Sequence, residues 1–178
     1  MTSETVIRPI RLDDAPELTD VLRENRDFLS PWEPRREDGY FTLETQTETL
    51  AHALDEAAQG RMLPLAIVDH SGALAGRITL TGITRGPFQS ATMGYWVRRD
   101  RNGRGLATAA VRDVLRIAFA GLGLHRVEAG TLVENGASKR VLARNGFQLY
   151  GFAPQYLQIS GRWQDHDLYQ RLTDEVDV

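Results

Sequence analysis

Asn102-Gly103-Arg104-Gly105-Leu106-Ala107-Thr108 sets two glycines just ahead of a strongly periodic stretch. Glycine lets neighbouring backbone N–H groups turn inward with no side chain over them. The first turn of a helix leaves further N–H groups unpaired, and its dipole favours anions. Together these features predict a socket for a phosphate or diphosphate. Arg98, Arg99, Arg101 and Arg104 surround it in a chain whose formal charge is −3, and guanidinium groups suit phosphate oxygens. The plainer alternative is a glycine-rich loop that only starts a helix, ringed by solvated arginines. Gly103-x-Gly105-x-x-Thr108 also imitates a dinucleotide fingerprint, with Glu128 about 20 residues on. Three features oppose that reading. Thr108 stands where close helix–sheet packing wants glycine or alanine, Arg98 to Asn102 separates the glycines from the preceding strand, and the motif lies mid-chain.

A second helix opens at Asn135-Gly136-Ala137-Ser138. Asn135 is a good N-cap, and Ser138 lies in the first turn, where its hydroxyl can either complete the cap or face a ligand. The chain has no cysteine, which excludes disulfides, thiolate chemistry and cysteine-ligated metals. His52, His70, His125 and His166 show no metal-ligand spacing, so no metal is expected. Glu33 and Glu128 are carboxylates whose plain reading is an ordinary surface role. Trp32, Tyr40 and Phe41 could line a groove or plug a core edge.

These residues need a scaffold. A chain of 178 residues suits one domain with a sizeable core, expected over 1–178. Val6 to Ile10 reads as a strand. Asp13 caps a helix with Pro16 in its first turn and Leu18, Val21 and Leu22 on one face. Asn25 to Phe41 reads as an irregular loop. Thr45 with Glu48 forms a capping-box pattern ahead of Leu50, Leu54, Ala57 and Ala58. Strands follow at Leu63 to Val68, Leu74 to Ile83 and Thr92 to Val97. Gly105 to Ala120 is an amphipathic helix stopped by Gly121 and Gly123. His125 to Leu132 is a strand and Ala137 to Arg144 a short helix. Phe147 to Phe152, Tyr156 to Ile159 and Trp163 to Leu172 complete a mixed α/β fold. Met1 to Pro9 is polar, so no signal peptide is expected, and no run is long enough to span a bilayer. A cytoplasmic protein, with no direct nucleic-acid or membrane partner, is the expectation. Oligomeric state stays open, a homodimer among the alternatives.

Asn102-x-x-Gly105-x-Ala107 resembles the coenzyme motif of the GCN5-related N-acetyltransferases, the GNAT superfamily, with Asn in place of the usual Gln or Arg. Other segments resemble its RimJ/RimL branch of ribosomal-protein N-terminal acetyltransferases, closest to RimJ. They are Asn25-x-x-x-Leu29-x-Pro31-Trp32-Glu33-Pro34-Arg35, Asn135-x-x-Ser138, Asn145-Gly146-Phe147, and Tyr156-Leu157-x-Ile159-x-Gly161-x-Trp163-x-Asp165-His166. The resemblance implies a mixed, mostly antiparallel central sheet flanked by helices. Two middle strands would part at a bulge to admit the pantetheine arm of acetyl-CoA. It implies backbone contact to that arm near Val97, a coenzyme site formed by Asn102, Gly103, Arg104, Gly105, Leu106, Ala107 and Thr108, and further contacts from Asn135 and Ser138. Ser138, Asn135 and Glu33 become the catalytic candidates, and Trp32, Glu33 and Tyr156 the acceptor-binding ones.

The implied reaction is direct acetyl transfer to an amine in a ternary complex. A protein α-amine has a pKa near 8 and a lysine about 10.4, so the neutral amine costs about 1.4 or about 4.6 kcal/mol at pH 7. A weak base or a water relay suffices for the first. Some relatives place a glutamate where this chain has Leu157, and others a tyrosine where it has Leu142, so the base falls to Glu33, Glu128 or water. The leading expectation is therefore an N-terminal protein α-amine, ribosomal by analogy. A small-molecule amine such as an antibiotic or polyamine, and a non-catalytic acyl-CoA-binding module, are the alternatives.

Overall fold

The computed structural model describes residues 6–173. Strands β1 (Ile7–Pro9), β2 (Leu63–Val68), β3 (Leu74–Thr84), β4 (Ser90–Val97), β5 (Arg126–Leu132), β6 (Gln148–Ile159) and β7 (Arg162–Leu172) form one sheet in the order β1-β2-β3-β4-β5-β7-β6. Every neighbouring pair is antiparallel except β4 with β5. That parallel step needs a crossover, and α4 (Leu106–Arg116) provides it. Its apolar stripe, Ala110, Val111 and Val114, is fully buried on one sheet face against Ile78, Leu80, Met93 and Val127. The opposite face is covered by α1 (Ala15–Glu24) and α3 (Leu43–Ala58), with Leu18, Leu22 and Leu50 packed on Ala66 and Leu74. Covered on both sides, β2 reads as the unbroken apolar run Leu-Pro-Leu-Ala-Ile-Val.

The middle of the sheet opens. β4 and β5 pair only through Ser90↔Arg126, Ala91↔Val127 and Thr92↔Glu128. Beyond that point β4 stays with β3 as far as Gly76↔Val97, and β5 stays with β7 as far as Leu132↔His166. The expected bulge does not cause the parting. Register between β3 and β4 is unbroken from Gly76↔Val97 to Thr81↔Thr92, and the shift falls beyond it, between Thr81 and Thr84. Gly76 holds this corner together, because a Cβ there would stand 2.1 Å from the Trp96 carbonyl oxygen.

Several local expectations need correction. Asp13 is exposed and caps nothing; buried Asp14 takes the Arg11 N–H at 2.7 Å and a two-pronged bond from Arg8 at 2.8 and 2.7 Å. Thr42, not Thr45, caps α3, accepting the Thr45 N–H at 3.3 Å. The stretch read as an irregular loop contains α2 (Arg26–Leu29) and a 3-10 turn at Asp38–Phe41. The two strands expected on either side of Pro154 are one, β6, kinked by two register shifts. β6 is the sheet's edge, where a proline's missing N–H is tolerated. Part of the leader reading and the ends of the expected 1–178 domain fall on 1–5 and 174–178, outside the described residues. Among the described residues no helix is long and apolar enough to cross a membrane.

Candidate active site

The glycine-rich loop forms the N-terminus of α4. Gly103 and Gly105 sit at φ +74° and +80°, the left-handed region where glycine is favoured, and a Cβ on either would meet nothing within 4 Å. Their outer side is open. Among the described residues, the backbone N–H groups of 103 to 108 have no protein acceptor; the first amide to bond back is that of Ala109, to the Gly105 carbonyl at 2.9 Å. Asn102 serves the loop differently from expectation. Its Nδ2 donates to the Val97 and Arg98 carbonyls at 3.1 and 3.0 Å, tying the end of β4 to the loop.

The arginine cluster also divides. Arg98 pairs with Asp100 at 2.7 Å and Glu24 at 3.2 Å. Arg101 pairs with Asp69 at 2.9 Å and Asp100 at 2.7 Å. Asp69 is held well below the usual carboxylate range by hydrogen bonds from Ser71 and Arg101. These two arginines pin the loop to its neighbours. Arg99 and Arg104 show no ion pair among the described residues.

Where β4 and β5 part lies a cleft of 520 Å³. One wall is Met93 to Val97, the other Ala129 to Leu132, and Asn102, Ala107, Asn135 and Ser138 close the end nearest the loop. Arg98 donates to Ala75 across the β3–β4 ladder at 2.8 Å. Antiparallel pairs alternate between bonded and non-bonded, so the next pair, Gly76 with Val97, does not exchange bonds. The Val97 N–H therefore points away from β3, toward the gap. Thr131, 4 % exposed, belongs to this wall, and its buried hydroxyl has no hydrogen-bond partner among the described residues.

Asn135 and Ser138 are joined in the α5 cap (α5, Gly136–Arg144). Asn135 Oδ1 accepts the Ser138 N–H at 3.0 Å. The serine hydroxyl is not used in the cap; it lies 2.8 Å from the hydroxyl of Tyr95, which also reaches the Ser138 carbonyl at 3.3 Å. Burial pushes the Tyr95 phenol up to about 12, so it stays protonated at any physiological pH. A Tyr95 O–H that donates to Ser138 leaves the serine's own hydrogen for the cleft.

The far end of the cleft is built by distant segments. Trp32 and Glu33 come from the loop after α2, Leu157 and Ile159 from β6, and His166 from β7. The loop and the β6–β7 hairpin meet where the Ser160 N–H donates to the Glu33 carbonyl at 2.9 Å. Burial pushes the Glu33 carboxyl up, against the opposing pull of Arg36 and Arg77. Tyr156 does not line the cleft; it sits beside it, edge-on to His166 with ring centres 5.5 Å apart. Glu128 lies elsewhere, accepting from the Tyr150 hydroxyl at 2.9 Å and facing Arg126, which removes it as a base. Leu106 turns its side chain into the core, and Thr108 lines a separate hollow beside Asn145. Among the described residues no cluster of His, Asp and Glu is placed to hold a metal ion.

Residues 4–148 match the family described as the acetyltransferase (GNAT) domain. The chain belongs to the GNAT acetyltransferases. It is 36 % identical over 163 residues to the Bacillus subtilis protein called probable N-acetyltransferase YjcK, covering 91 % of this chain and 90 % of that one. It is 31 % identical over 168 residues to the Escherichia coli [ribosomal protein uS5]-alanine N-acetyltransferase, covering 94 % and 87 %. The structure of Mycobacterium smegmatis RimJ in complex with CoA-disulfide superposes with a TM-score of 0.91 at 34 % identity, covering 94 % of this chain and 81 % of that one. The expected RimJ-like GNAT fold, with a mostly antiparallel sheet open in the middle, is therefore correct.

Tyr95, Thr131 and His166 are among the cleft residues of this acetyltransferase that sequence reasoning did not single out. Strand alternation placed Tyr95 on the same face as Met93 and Val97, which was the available signal. For His166, only the long-range pairing with Leu132 carries its position, and no local pattern reveals that.

Proposed function

We propose that this enzyme transfers the acetyl group of acetyl-CoA to the N-terminal α-amine of a protein, a ribosomal protein by kinship, through direct attack in a ternary complex in the cytoplasm. The observation that carries the donor half is the row of unpaired amides from Gly103 to Thr108 at the mouth of the parted strands. They suit a diphosphate, and Arg99 and Arg104 add screened attraction. The Val97 N–H suits the amide-bearing pantetheine arm, and by its register it faces the gap where the thioester would arrive. Bound there, acetyl-CoA supplies the activated acyl carbonyl. The Val97 N–H is placed to stabilise negative charge on that carbonyl oxygen during attack.

Glu33 receives the proton from the amine, directly or through water. Its partial burial raises its basicity above that of a surface carboxylate, which improves its match to an amine. Ser138 donates to the departing sulfur, with Tyr95 holding its hydroxyl in the productive rotamer. Asn135 fixes the turn that presents Ser138 and faces the coenzyme itself. Trp32 flanks the acceptor, and Tyr156 supports His166, which lines the cleft. Alignment of a neutral amine against the carbonyl supplies most of the remaining acceleration.

The α-amine reading rests on two supports. At pH 7 the neutral form costs about 1.4 kcal/mol for an α-amine and about 4.6 kcal/mol for a lysine, so an α-amine asks less of one partly buried carboxylate. The Escherichia coli relative is named for alanine acetylation on a ribosomal protein. Acetyl-CoA with short peptides, lysine-bearing controls and spermidine, read by mass spectrometry, tests it. Acetyl groups on the α-amine alone are the expected outcome. Product with spermidine only would transfer the enzyme to small amines. Coenzyme binding without product on any amine would return the non-catalytic reading.

A further inference from the structure

We infer that residues downstream of the acceptor's N-terminus run through a second cleft, of 840 Å³, that begins where Trp32 and Leu132 end the catalytic one. The occupant is an extended, basic N-terminal segment of the acceptor protein, and the inference rests on the α-amine reading above.

A protein whose N-terminus reaches the catalytic cleft must leave it again. The Ser160–Glu33 backbone bond joins the acceptor loop to the β6–β7 hairpin, and a hollow lies on each side of that junction, both sharing Ser160 and each sharing residues with the catalytic cleft. One exit, past Leu29 and Pro34, is lined by Arg26, Arg35 and Arg36 against Asp27 and Glu33. The other, past Trp32 and Leu132, carries Glu134 and Asp165 against Arg162. The charge balance is therefore opposite in the two exits. Terminal segments of RNA-binding proteins are commonly basic arms, which the arginine-lined exit repels and the acidic one accepts.

The second cleft is also apolar in an unusual way. Trp163 is 62 % exposed, Phe152 57 % and Val133 43 %, and all three line this cleft, from the start of β7, the middle of β6 and the residue after β5. Aromatic faces left to solvent next to carboxylates suit the stems and cationic heads of lysine and arginine. Neither aromatic supports the core, so truncating one leaves the fold intact. An extended peptide advances about 3.3 Å per residue, so a dipeptide stays within the first cleft and an octapeptide spans both.

The experiment compares kcat/KM for alanine-initiated peptides of two and eight residues, the longer in a lysine-rich and a glutamate-rich form. The lysine-rich octapeptide is expected to have at least a tenfold lower KM than the dipeptide, and the glutamate-rich one no advantage. Trp163→Ala and Phe152→Ala should erase most of that gain while the dipeptide's constants hold. Glu134→Lys should raise KM for the lysine-rich peptide alone. Equal KM at all lengths would overturn the inference while leaving α-amine acetylation standing; no product from any peptide would remove the reading beneath it. A gain that survives both aromatic variants, or vanishes in Arg35→Ala, would move the path to the other exit. Sedimentation showing that Trp163→Ala turns a dimer into a monomer would assign the patch to a second copy of the chain.

Discussion

The two ends of the catalytic cleft are made of different material. The donor end is main chain: unpaired amides at the start of α4, the Val97 N–H, and glycines whose side faces are open. The acceptor end is side chains, gathered from the loop after α2, from β6 and from β7. A coenzyme with a fixed diphosphate can be met by backbone geometry that few side chains specify. An acceptor that differs between enzymes needs a surface that substitution can reshape. The donor end therefore tolerates variation such as Asn102 in the coenzyme motif, whose side chain ties strand to loop. On the proposed reading, the acceptor end is where Trp32, Glu33 and Leu157 set the outcome.

The largest effect that would break this contrast is on the donor side. Gly105→Glu places a Cβ at φ +80° and a carboxylate among anion-seeking amides. Coenzyme affinity should fall at least about 100-fold while circular dichroism keeps the native helix signal. Unchanged affinity in calorimetry would refute a backbone-built donor site.

Next in size is Glu33→Gln, which should lower kcat/KM by about 100-fold, within the range for a lost general base. The pH profile sharpens the assignment. The proposed mechanism requires both a neutral amine and an ionised Glu33, so log kcat/KM should fall with slope one below the amine's pKa and slope two below that of Glu33. The carboxyl's pKa is raised by burial, so its limb lies above the ordinary glutamate range. Glu33→Gln should keep slope one throughout. A retained second slope would make the base another group.

Smaller still, Tyr95→Phe removes one neutral hydrogen bond at 2.8 Å, worth about 1 kcal/mol, so kcat should fall about fivefold with little change in KM. The same substitution should have no further effect in a Ser138→Ala background, because its role runs through that hydroxyl. Arg104→Ala is the mildest: coenzyme affinity should drop about threefold in dilute buffer, and the difference should fade at high salt.

The contrast also explains which parts were legible in the sequence. Gly103 and Gly105 announce a local backbone shape, and the stripe Ala110, Val111, Val114 announces the helix behind it, so the loop-and-helix geometry on which the proposed donor end rests was legible in a short stretch of chain. Asn135 and Ser138 sit close together for the same reason. Arg98 and Arg101 misled because local charge suggests ligands, whereas their partners Glu24 and Asp69 arrive from elsewhere in the fold. Glu33 was visible as a carboxylate, but its burial depends on the hairpin bond to Ser160. Tyr156 and His166 depend on β7 pairing with both β5 and β6, including two register shifts that no periodicity encodes. The strand break expected at Pro154 failed because edge position, a property of the whole sheet, decides whether a proline ends a strand.

The most direct test is an amide-resolved NMR titration of the full chain with CoA. The backbone N–H signals of Gly103 and Gly105 should shift furthest and saturate with the coenzyme's dissociation constant, with the rest of 104 to 108 close behind. If those signals hold still while CoA binds, and amides at another helix start move instead, the main-chain donor site does not exist.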